Sequence, residues 1–136
     1  MRHPQILSVY LFIFDGDKIL LMRRKSTGYR DGCYSVIAGH VEARESVTNA
    51  MIREAKEEPG IVLKPKWLKL IHVIHRFESQ EREYFFFKVL KYLEESRIME
   101  DKADDLRWFP LKNLPENAVP YVRQAIEMIA KRGEIF

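Results

Sequence analysis

The 136-residue sequence holds a single cysteine, Cys33, and no long hydrophobic run. One thiol forms no intramolecular disulfide and assembles no thiolate metal site. Nothing near Cys33 supplies the partner base a nucleophile needs, so a small packed side chain is expected there. No stretch approaches the roughly eighteen apolar residues of a membrane-spanning helix. The first five residues, Met-Arg-His-Pro-Gln, lack the apolar run and cleavage site of a signal peptide. A cytoplasmic protein with no membrane partner is the expectation. Repeats, low-complexity tracts and linkers are missing too, and the length suits one domain over residues 1–136. An excess of one charge sign is also lacking: the net charge is +3 and the pI about 9.0, with both signs mixed throughout. A polyanionic small molecule suits that balance as well as nucleic acid does. Dispersed lysines and arginines argue against an RNA-binding surface.

What is present is enough apolar mass for a core, at 46% hydrophobic residues against 32% charged. Residues 6–14 are almost continuously apolar and β-prone, Asp15-Gly16-Asp17 supplies a turn, and residues 18–24 run on as a second strand. These two strands are expected to form a hairpin. A loop over 26–32 and a short strand over 33–37 ending at Ala38-Gly39 follow. From 46 to 58 the pattern turns helical, with Val47, Met51 and Ala55 in one apolar strip, Ser46 as N-cap and Pro59-Gly60 as the stop. Residues 67–77 and 82–92 are read as two long strands and 94–105 as a polar loop. A last short strand spans 106–109, and a second helix spans 121–131 with Val122, Ile126 and Ile129 inward. Strands, helix, strands, helix predict an α/β protein with a mixed sheet and helices on its faces.

Glu54, Glu57 and Glu58 stand at i, i+3 and i+4 and therefore share one helical stripe. Three like charges so placed repel, unless a cation sits among them. A divalent cation is the economical choice, and an all-oxygen donor set suits Mg²⁺, or Mn²⁺, rather than zinc. Mg²⁺ commonly completes its shell with water and substrate phosphates, which points to a phosphorylated ligand. Taken alone, such a stripe is more often a solvated acidic helix end.

The surrounding residues change that weighting. Gly39 is followed by Glu45, Arg53-Glu54, Glu57-Glu58 and Gly60 at spacings that resemble the Nudix box, G-x5-E-x7-R-E-U-x-E-E-x-G-U with U aliphatic. All seven fixed positions match. At a usage of roughly 7% per fixed residue, a chance match at a given start is on the order of one in 10⁸. The resemblance covers residues 39–61, and the strand order extends it to the whole chain. Departures are Ala38 before the box, where many members carry glycine, the small Ala55 at the first U, and Pro59 where many carry threonine. None removes a carboxylate.

The resemblance implies a Nudix-type α/β/α sandwich and Mg²⁺-dependent hydrolysis of a phosphoanhydride in a nucleotide-like small molecule. By the same token Glu54, Glu57 and Glu58 hold the metal with the Gly39 carbonyl, and Arg53 and Glu45 form a salt bridge that orients the catalytic helix. The general base is Glu54 or, as in members that place it in a later loop, Glu100 or Asp101. Arg23, Arg24, Tyr29 and His40 are candidate substrate contacts, with Glu42 a candidate outer ligand. Tyr34 and residues 85–87 are weighed as base-stacking rings, and most of that trio is expected in the core. His72 and His75, three apart in a strand, face opposite sides. Small size favours a (deoxy)nucleoside triphosphate as substrate. An ADP-ribose-type nucleoside diphosphate sugar, a capped RNA end and a non-catalytic nucleotide sensor are the alternatives, and monomer and homodimer both stay open.

Overall fold

The structure is a computed structural model that describes residues 3–24, 31–57, 59–90 and 103–133. Its elements run β1 (Gln5–Phe12), β2 (Phe14–Asp15), β3 (Lys18–Arg24), β4 (Tyr34–Ser35), β5 (Ile37–His40), α1 (Val47–Glu57), β6 (Leu68–Phe77), β7 (Glu81–Val89), β8 (Ala103–Pro110) and α2 (Pro120–Lys131). The first sheet has the order β5-β1-β7-β6 and is mixed: β1 lies parallel to β7 and antiparallel to β5, and β6 is antiparallel to β7. The second sheet is antiparallel throughout, with β3 at its centre pairing β2, β4 and β8. The α/β class with a mixed sheet is as expected. The arrangement departs from expectation in dividing its strands between two sheets.

The expected hairpin of residues 6–14 with 18–24 does not form as such. The chain leaves the first sheet after Phe12, and only Phe14–Asp15 turns back on β3, pairing Phe14 with Ile19. The apolar run is continuous because both of its parts are buried, so composition carried no mark of the change of sheet. Likewise the short strand before the box is two strands. Tyr34–Ser35 joins the second sheet and Ile37–His40 the first, and the latter continues through Ala38 and Gly39.

Alternation along β1 sets up two cores. Val9, Leu11 and Ile13 point to the α1 side, where they meet Met51, Ala55, Ile61 and Trp67. Tyr10 and Phe12 point to the other side and pack with Phe86, Val122, Ile126 and Ile129 of α2. The inward strip of α2 is thus the one its 3.6-residue period predicts. Phe86 faces opposite to Phe85 and Phe87. Tyr34 is buried with its ring edge-on to Phe109 at 4.8 Å, so it is a core residue and no base-stacking platform. Cys33 is half-buried against the α2-side core. Among the described residues no helix is long and apolar enough to cross a membrane.

Candidate active site

Helix α1 starts where a capping residue permits. The Asn49 N–H donates to Ser46 Oγ at 3.1 Å, satisfying one of the free amides of the first turn. It ends as the Ile61 N–H reaches back to the Ala55 carbonyl at 2.9 Å, with Gly60 at φ +80° in the left-handed region that glycine adopts without cost. Between these stops Met51 and Ala55 anchor the helix to the core, and the next face around carries Arg53, Glu54 and Glu57.

Arg53 is the hub. Its Nε and Nη2 donate to the two oxygens of Glu45 at 2.8 and 3.0 Å, the bidentate fork that fixes a carboxylate most firmly. Its Nη1 donates to Glu54 at 2.8 Å and to Glu57 at 3.3 Å, and stands 3.6 Å from Glu42. Nη2 also donates to the His40 carbonyl at 3.0 Å, tying the helix to the end of β5. Glu45 in turn accepts the Glu42 N–H at 3.0 Å, closing a tight turn in which Arg44 sits at φ +65°. The Arg53 hydrogen bond, with that amide adding to it, holds the Glu45 carboxyl down at about 2. Arg53 itself is pushed further above its usual range, first by Glu45 and also by Glu54. A cation does sit among the box glutamates, then, and it is supplied by the chain. Among the described contacts of Arg53, four carboxylates are grouped around one guanidinium.

Glu54 is the most buried carboxylate of the cluster, at 8% exposure, and it lies directly against Gly39. A Cβ added at Gly39 would fall 2.1 Å from Glu54 Cδ, so only glycine lets the strand approach this side chain. Three features fit a divalent cation at this place: all-oxygen donors, carboxylates gathered on one face, and a backbone that closes on a buried carboxylate. Among the described residues, no three histidine, cysteine, aspartate or glutamate groups are already drawn together as a metal cage. Glu58, the remaining box carboxylate, lies outside the described residues, as do Tyr29, Glu100 and Asp101.

A cavity of about 870 Å³ opens on the opposite face of the first sheet. Its walls include Gly39 and His40, so it adjoins the box at the edge strand β5, but Glu45, Glu54 and Glu57 are not among its lining residues. Of the candidate substrate contacts, Arg24 and His40 are brought to this cavity and Arg23 is not. Tyr10, Tyr84 and Tyr121 form its aromatic floor, with Tyr84 and Tyr121 rings 5.4 Å apart. Burial pushes the Tyr10 hydroxyl far above its usual range, so it stays protonated. Arg76, Glu78 and Arg82 close the far end. Sequence reasoning passed over these groups. Period-two alternation would have put Ile74 with Arg76, and Arg82 with Tyr84, on one face of the hairpin, but not against α2. His72 and His75 go separate ways: Arg132 Nη2 lies 2.9 Å from His72 Nδ1, and His75 contacts Glu81 at 2.6 Å.

Fold and box together define the class of protein. Residues 4–129 match the NUDIX domain family, and the chain belongs to it as a Nudix hydrolase. The family generally uses divalent metals. The chain is 31% identical over 116 residues to an ADP-ribose pyrophosphatase of Methanocaldococcus jannaschii, a match covering 85% of this chain and 68% of that protein. It is 32% identical over 126 residues to the NAD-capped RNA hydrolase NudC of Stutzerimonas stutzeri, covering 88% of this chain and only 40% of that one. Among solved structures it is similar to a MutT NUDIX hydrolase from Burkholderia pseudomallei, with TM-score 0.82, 27% identity and coverage of 93% and 99%.

Proposed function

We propose that the chain cleaves the pyrophosphate bond of a nucleoside diphosphate joined to a second moiety. Mg²⁺, or Mn²⁺, would be held by Glu54, Glu57 and Glu58 with the Gly39 carbonyl. The observation that carries this reading is the junction at Gly39–His40. There a buried, arginine-held glutamate meets a glycine backbone on one face of the sheet, and a large aromatic cavity begins on the other. A pyrophosphate at that junction leaves its nucleoside, or the second moiety, to lie in the cavity.

A divalent cation bound there supplies charge neutralisation on the pyrophosphate oxygens and acidity to the attacking water. The chain's own residues supply position. Arg53 fixes Glu54 and Glu57 relative to β5 through the His40 carbonyl, so the carboxylates need no reorganisation on binding. Glu54, close to the backbone and largely shielded from water, is the proposed proton acceptor. Gly39 keeps the approach open. His40 and Arg24 border the entrance from the cavity side and are suited to hold phosphate oxygens.

The similarity to the ADP-ribose pyrophosphatase and to the NAD-capped RNA hydrolase supports a substrate in which two moieties flank the pyrophosphate. A nucleoside triphosphate is the second reading, favoured by the small size of the domain. Incubation of the purified protein with ADP-ribose, NAD, capped oligonucleotides and nucleoside triphosphates, with Mg²⁺ or Mn²⁺ and products identified by mass, separates the two. Two phosphate monoester products, as AMP and ribose 5-phosphate from ADP-ribose, support the first reading, and release of pyrophosphate from a triphosphate alone supports the second. No product from any compound would leave the chain a nucleotide-binding module.

A further inference from the structure

The far end of the cavity carries charge that the hydrolytic reading does not use. Arg76 and Arg82 stand directly opposite each other in the β6–β7 pairing and point to the same face. Like charges in directly opposed positions of an antiparallel pair destabilise a hairpin. Among the described residues a single carboxylate answers both: Glu78 lies 2.5 Å from Arg76 and 3.9 Å from Arg82. All three side chains are partly exposed to the cavity, and the Arg76 guanidinium sits 6.0 Å from the centre of the Tyr84 ring. Among the described residues, one positive charge in this group therefore faces the cavity without a matching carboxylate. The arrangement costs stability that an anionic ligand would return.

The register gives its place relative to the box. His40 pairs with Ser8, Ser8 with Tyr84, and Arg82 precedes Tyr84 by two residues along β7. At a strand spacing of about 4.8 Å and a rise of about 3.4 Å per residue, the Arg82 backbone lies roughly 12 Å from that of His40. A bare triphosphate tail does not bridge that distance. A nucleoside lying over Tyr84 and Tyr121 does, with a group on its far side reaching the arginines.

We propose that Arg76 and Arg82 form a subsite for a second phosphate, esterified to the nucleoside side of the substrate remote from the scissile pyrophosphate. The preferred substrates are then nucleoside-diphosphate-linked compounds that carry an additional phosphate ester. This rests on the proposed hydrolysis at the Gly39–His40 junction and narrows its substrate class. The ester is either a monoester on the ribose or the phosphodiester of an attached oligonucleotide, and guanidinium forks bind both alike.

The test uses matched pairs at constant Mg²⁺: ADP-ribose against ADP-ribose 2′-phosphate, and NAD against an NAD-capped dinucleotide. In at least one pair the phosphorylated member is favoured by about tenfold or more in kcat/KM, the size of one charge-assisted hydrogen bond, and the gain lies in KM. The pair that responds identifies the ester. Arg82→Gln and Arg76→Gln bring the ratio within the responding pair toward one. Glu78→Gln, which frees both arginines from their competing carboxylate, raises it. Hydrolysis of both members of each pair at rates within twofold, or a preference that survives both arginine changes, overturns the subsite. Turnover of none of the four compounds overturns the pyrophosphatase reading on which it stands.

Discussion

The two faces of the first sheet are built to different ends. On the α1 face, polar groups are locked to one another: Arg53 engages Glu45, Glu54, Glu57 and the His40 carbonyl in one network above an apolar core. On the α2 face the side chains are large and aromatic and leave room, so that Tyr10, Tyr84 and Tyr121 floor a cavity. Rigidity serves groups that must meet a transition state in one geometry. Shape and area serve groups that must accept a nucleoside. A single strand divides these tasks, since β1 sends Val9 and Leu11 to one face and Ser8 and Tyr10 to the other.

If the division holds, damage to the α1 face falls on turnover and damage to the α2 face falls on stability or affinity. The largest effect is expected for Glu54→Gln, which should lower kcat about 10²–10⁴-fold at saturating Mg²⁺. A kcat close to that of the unaltered protein in steady-state assays would remove Glu54 from the chemistry. Next comes Ile129→Ala in the fully buried strip of α2. It should cost about 2–5 kcal/mol in denaturant unfolding and change kcat little at a temperature where the variant stays folded. A kcat loss as large as that of the glutamate change would mean that the faces are coupled.

Gly39→Ala tests the seam between the faces. The added methyl meets the Glu54 carboxyl, which must swing away. About a 10–100-fold loss of kcat is expected, together with about 1–3 kcal/mol of destabilisation. The smallest effect is a pH dependence. Arg53 and the Glu42 amide hold Glu45 at about 2, below its ordinary 4.5. A carboxyl depressed by folding adds stability that is full above about pH 4.5 and is lost as pH falls towards 2. Melting temperatures measured from pH 6 to 3 should therefore fall less steeply for Glu45→Gln than for the unaltered protein. Parallel curves would show that the bidentate pair contributes nothing to folding.

The box was legible because it is local. Ser46, the Met51–Ala55 strip and Gly60 are bound to one helix and its two ends, and intrahelical geometry alone brings Glu54 and Glu57 to one side. The Glu45–Arg53 pairing, implied by the family pattern, bridges only eight residues. Less legible was the cation. Repulsion among the glutamates argued for a metal, whereas Arg53 already lies between Glu54 and Glu57 and meets part of that charge. A helix period places the arginine one residue from Glu54 but does not say which way its long side chain folds.

The chain by itself determined the helices, the strand-forming runs and the spacing that identifies the family, because each depends on residues near one another in sequence. It also narrowed the proposed metal donors to oxygen, since one cysteine and scattered histidines offer no clustered alternative. Tertiary structure decided the rest. The break of residues 6–14 into strands of two sheets, the apposition of Gly39 to Glu54, and the cavity joining β1, β5, β6, β7 and α2 all depend on which strands pair. Pairing partners far apart in the chain leave no mark in local pattern, because a strand buried on both faces reads the same whichever neighbour it takes.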